Sequence, residues 1–81
     1  MKIYHATTPK KIERYVATGA ILPPVRGFST IERAKEWGRM CGRTIVLEVE
    51  GNPAYPLPDH RPNAYWIDDY IREWKVVKTD N

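Results

Sequence analysis

The chain has 81 residues, 42% hydrophobic and 28% charged, with 13 Lys and Arg against 10 Asp and Glu for a net charge of +3. These proportions exclude a disordered tail, and the length sets a single small domain, residues 1–81, with little room for a deep pocket. The one cysteine, Cys41, excludes an internal disulfide and, without a Cys or His cluster, a metal site; its expected place is the buried face of a helix. No stretch approaches the roughly 20 apolar residues of a membrane span. The N-terminus also lacks the apolar core of a signal peptide, so no membrane partner is expected and the expected location is cytoplasmic. The basic residues interleave with acidic ones instead of forming a block, which lends only weak support to a nucleic-acid or nucleotide partner.

Met1 to Ala6 alternates, with Ile3 and His5 on one face and Lys2, Tyr4 and Ala6 on the other, the period of a strand. Thr7 and Thr8 stop it. Thr8 before Pro9 reads as an N-cap with proline at the first helical position, Ile12, Tyr15 and Val16 share a helix face, and Gly19 ends the helix. His5 therefore stands beside a helix N-terminus, where backbone N–H groups favour an anion. Ala20 to Leu22, halted by Pro23 and Pro24, reads as an edge strand or a turn.

Val25 to Ser29 reads as a second extended segment. Ser29-Thr30-Ile31-Glu32 then has the form of a capping box with Ser29 as the cap, opening a helix on which Ile31, Ala34, Trp37 and Cys41 share a face and which Gly42 closes. Arg43 to Glu50 is the strongest strand pattern, apolar on both faces at its centre, and is expected inside the sheet. Four prolines between Pro53 and Pro62 make a stiff loop without helix. A short strand over Asn63 to Trp66, a turn or one helical turn at Ile67 to Tyr70 and a last strand over Ile71 to Lys78 complete the chain. The order predicts a small α+β domain: two helices against a small curved, mostly antiparallel sheet.

Several of these segments carry a resemblance. The strand end Tyr4-His5-Ala6-Thr7, the helix closed by Gly19, Gly27-Phe28-Ser29-Thr30 feeding a helix with Ala34 and Trp37, the IVLEVEG strand and the final EWKVV resemble the ADP-ribosyltransferase fold. That superfamily comprises ADP-ribosylating toxins, poly(ADP-ribose) polymerases and RNA 2′-phosphotransferases. The resemblance implies a minimal member that binds NAD as substrate through His5, Thr7, Phe28 and Ser29. His5 would hold the ribose and Phe28 would stack on nicotinamide. Glu73, before Trp74, Val76 and Val77, would be the catalytic carboxylate, with His5 as its catalytic partner. If active, such an enzyme would transfer ADP-ribose to a protein or nucleic-acid acceptor, or hydrolyse NAD. The chemistry is reasonable, because cleaving the nicotinamide–ribose bond builds positive charge that a nearby carboxylate stabilises.

The same residues have plainer readings. A strand histidine is commonly structural, Thr7 and Thr8 are turn and cap residues, Ser29 is a helix cap, and Glu73 is a solvated edge charge. His60 is expected to be exposed. Tyr55, Tyr65, Trp66, Tyr70 and Trp74 are expected mostly in the core, with base stacking beside Arg61 and Arg72 the less favoured role. The alternative to an enzyme is a non-catalytic protein- or RNA-binding regulatory module on the same scaffold, docking through the Pro53–Pro62 loop. A 2′-phosphotransferase ranks last, since it needs several arginines at the site and only Arg26 and Arg43 are on offer. The enzymatic reading requires His5, Phe28 and Glu73 to share one cleft.

Overall fold

The computed structural model describes residues 1–53, 55–56 and 64–77. Both helices begin and end where short-range chemistry puts them. The first, α1 (Pro9–Thr18), is capped by Thr8, whose Oγ1 accepts the Lys11 N–H at 3.2 Å, and it ends at Gly19 in the left-handed region with φ 79°. The second, α2 (Ile31–Cys41), ends the same way at Gly42. Its cap is Thr30 and not Ser29: Thr30 is the extended residue, and its Oγ1 accepts the Arg33 N–H at 3.2 Å. Glu32 thus falls at the second helical position, too early to close a capping box but still in the first turn, where its charge suits the helix dipole.

The strands are β1 (Lys2–Thr7), β2 (Val25–Phe28), β3 (Ile45–Glu50), β4 (Tyr55–Pro56), β5 (Ala64–Ile67) and β6 (Lys75–Val76). They form one sheet in the order β4-β5-β2-β1-β3-β6, with every neighbouring pair antiparallel. The protein is a small α+β domain. Since β2 and β3 both run against β1, they run parallel to each other, and α2 is the crossover that carries the chain over β1 from one to the other.

Some expected boundaries move. β3 is inner for only part of its length, because β6 pairs with Leu47 and Glu48, and the Val77 N–H adds one bond to the Val46 carbonyl at 2.9 Å. The expected last strand breaks in two. Ile71 bridges Ile21 through reciprocal backbone bonds of 2.7 and 3.1 Å, Trp74 turns its ring onto α1, and pairing resumes at Lys75. Cys41 is exposed, at the last position of α2, and Tyr70 is 53% exposed, so neither is the core residue expected. Most of the Pro53–Pro62 loop, with His60 and Arg61, lies outside the described residues, as does Lys78.

The faces of β1 set the layers. Ile3, His5 and Thr7 stand in register with Val49, Leu47 and Ile45, and this face joins Val25, Ile67, Ile71 and Ile21 in the core that Ile12 and Tyr15 of α1 cover. Tyr4 and Ala6 point the other way, toward Phe28, Val46, Ala64, Trp37 and the α2 layer. Two glycines permit the close approaches. A Cβ on Gly27 would overlap the Ile3 side chain, and a Cβ on Gly38 would run into the Arg43 carbonyl oxygen and press on Ala6 at 3.3 Å.

Gly38→Ala is therefore expected to lift α2 from β1 although alanine is the better helix former. The cost is about 1–3 kcal/mol, the usual scale of overpacking, read as a lower denaturant midpoint at unchanged m-value.

Candidate functional site

His5 is 5% exposed and Thr7 0% exposed, on the central strand beneath α1. Both ring nitrogens of His5 are engaged: Nδ1 lies 2.7 Å from the Arg26 carbonyl oxygen and Nε2 lies 2.9 Å from the Tyr15 hydroxyl. The same hydroxyl lies 3.1 Å from Thr7 Oγ1. The neutral imidazole satisfies every contact. A carbonyl only accepts, so Nδ1–H donates to Arg26; Nε2 then accepts from the Tyr15 O–H, whose oxygen accepts from Thr7. Burial favours this neutral form over the imidazolium, whose Nε2–H would donate to Tyr15 instead. Burial holds its pKa below the usual 6.5, the Arg26 carbonyl works against that, and the nearby Arg43 and Lys11 charges add to the lowering. Chemically this is a chain of hydrogen bonds that engages both ring nitrogens of His5.

The expected partners of His5 stand elsewhere. Phe28 is 5% exposed and, in register with Tyr4, faces the α2 layer, whereas His5 faces α1. The two rings are on opposite sides of the sheet because odd and even residues of β1 leave it in opposite directions. Ser29 is half-buried in the bend between β2 and α2. Glu73 is exposed beside a groove formed with Lys2, Glu48, Glu50, Trp74 and Lys75, a lining that includes none of His5, Thr7, Phe28 or Ser29. The structure joins His5 to Thr7 through Tyr15, and it does not bring His5, Phe28 and Glu73 to one cleft. Among the described residues, no group of three or more His, Cys, Asp and Glu side chains is placed to hold a metal ion, and no helix is long and apolar enough to cross a membrane.

A different constellation assembles on the α2 side. Arg26 and Trp66 are cross-strand partners on β2 and β5, and the Arg26 guanidinium lies 5.0 Å from the Trp66 ring and 4.7 Å from that of Trp37. Arg43, just past the end of α2, lies 4.9 Å from the same Trp37 ring, and its Nη1 donates to the Ala6 carbonyl at 3.4 Å. Burial, and after it the Arg43 charge, lowers the pKa of Arg26, although an arginine stays protonated throughout the neutral range. Beside this stack runs a groove lined by Lys35, Gly38, Arg39, Gly42, Arg43, Thr44 and Val46. Three of those seven residues carry cations and none carries a carboxylate. Glu32 and Glu36 share the helix but do not line the groove.

Tyr15 was legible as a helix-face residue but not as the partner of His5, because the pairing needs α1 folded back on β1. Arg26, Trp37, Arg43 and Trp66 come from four separate segments, and no spacing in the sequence announces that they meet. No family model, curated protein or solved structure matches the chain.

Tyr15→Phe keeps the ring and removes the hydroxyl that both His5 and Thr7 use, leaving buried polar atoms unpaired. The expected loss is about 1–3 kcal/mol, measured by urea unfolding. His5 also makes stability depend on pH. The unfolded chain takes up a proton near 6.5 and the fold only at lower pH, so the contribution of neutral His5 is complete above 6.5 and is lost as the pH falls below it toward the lowered folded value. Unfolding midpoints from pH 8 to 5 are expected to drop in the lower half of that range, with a shallower drop in His5→Gln.

Proposed function

We propose that this protein is a non-catalytic binding module for a polyanion, held on the α2 side of the sheet. The observation that carries the reading is the groove in which Lys35, Arg39 and Arg43 meet without a carboxylate, beside a stack in which Arg26 and Arg43 converge on the one ring of Trp37. Cations gathered in this way repel one another, and an anion that binds across them relieves the repulsion. Two of the groove's cations, Lys35 and Arg39, are carried on α2, which packs closely on β1 at Gly38, and Arg43 stands in the short connection to β3.

The ADP-ribosyltransferase reading, with NAD held by His5, Thr7, Phe28 and Ser29 and Glu73 as the catalytic carboxylate, has less support from the geometry. His5, Thr7 and Phe28 are buried, and the groove that Glu73 lines includes none of them. Docking through the Pro53–Pro62 loop concerns residues that lie mostly outside those described.

Long-chain polyphosphate is the direct probe. Binding is expected at low ionic strength, to weaken steeply as salt rises, and to fall about tenfold or more in the Lys35→Ala/Arg39→Ala double variant while Lys10→Ala on α1 stays near wild type. No binding at low salt, or equal losses in both variants, removes the proposal. Release of nicotinamide from NAD that is lost in Glu73→Gln would restore the enzymatic reading in its place.

A further inference from the structure

Resting on that binding reading, we infer that the polyanion is a single-stranded nucleic acid whose backbone follows the Lys35–Arg39–Arg43 groove while a base stacks on the planar Trp66–Arg26–Trp37–Arg43 array. Charge alone would accept any polyanion. The array adds something charge does not need: flat guanidinium and indole groups held 4.7 to 5.0 Å apart. Arginine planes and aromatic rings are the groups on which unpaired bases stack, through π contact and the pull of a cation on a ring face.

Arg43 joins the two halves. Its guanidinium carbon lies 4.9 Å from the Trp37 ring and its Nη1 donates to the Ala6 carbonyl at 3.4 Å, so two contacts hold the group before any ligand arrives. Among the described residues, that carbonyl is its one hydrogen-bond partner, which leaves donors of the five-proton fork for a phosphate in the groove that it also lines. Lys35 and Arg39 stand one helical turn apart on α2 and extend the cationic track along the helix. A duplex would offer phosphates but keep its base faces inside its own stack, so the array selects a single strand.

The test compares ligands of equal charge on the full chain, in a Trp74→Phe background so that the remaining indoles, Trp37 and Trp66, report contact. The ligands are ten-nucleotide oligouridylate and oligothymidylate, whose ratio assigns RNA or DNA, an abasic oligomer of the same length, polyphosphate, and poly-glutamate. Base-bearing strands are expected to bind about tenfold or more tighter than the abasic oligomer, the scale of one stacked base, and to quench tryptophan emission. Arg43→Lys keeps the charge and removes the plane; it should lower the affinity of the base-bearing strands by a larger factor than that of polyphosphate, and a cooperative urea transition shows that the variant folds. If abasic oligomer and polyphosphate bind as tightly as the base-bearing strands, the nucleic-acid inference fails while the polyanion reading stands. If poly-glutamate binds tightest, the ligand is an acidic peptide and the inference fails. If nothing binds, both fail together.

Discussion

A strand inside a sheet sends alternate side chains to opposite layers, and in β1 that rule decides which side chains can meet. His5 and Thr7 must go where Ile3 goes, into the layer closed by α1, while Tyr4 and Ala6 must go toward α2. Phe28, in register with Tyr4, is committed to the α2 side by the same geometry. No rotamer change brings the His5 and Phe28 rings together, because the sheet itself stands between them. The motif that resembles a nucleotide site is thus divided by the backbone that presents it.

What β1 carries on its α1 face is a polar chain in an otherwise apolar layer. Burying an imidazole and a hydroxyl is unfavourable unless each finds a partner, and here Tyr15, Thr7 and the Arg26 carbonyl supply them all. The chain ties α1, β1 and β2 at one point, so it locks the placement of α1 more specifically than Ile12 could by apolar contact alone. It also accounts for a histidine so deep in a small core.

On the other face, small residues let the second helix settle low. Ala6 under Gly38 brings α2 close enough for Trp37 to reach Phe28 and Arg26, with ring centroids of Trp37 and Phe28 5.8 Å apart. A bulkier pair would raise the helix and open the stack. The cationic groove at the end of α2 is therefore a product of packing as much as of charge, since it exists where the helix, the turn at Gly42 and the start of β3 converge.

Both helices, their caps to within one residue, the alternation of β1, the strand after Gly42 and the α+β class were legible along the chain because each depends on neighbours a few positions away. The threonine cap of α1, its Gly19 stop and the apolar run of β3 are of this kind. The errors were contextual: Ser29 for Thr30 as a cap, a continuous last strand where Trp74 turns aside, and a buried place for Cys41. The cluster of Arg26, Trp37, Arg43 and Trp66, and the separation of His5 from Phe28, are properties of strand order and register. Those are set when α1 and α2 take opposite faces of one sheet, a choice made by contacts between residues tens of positions apart that no local pattern encodes.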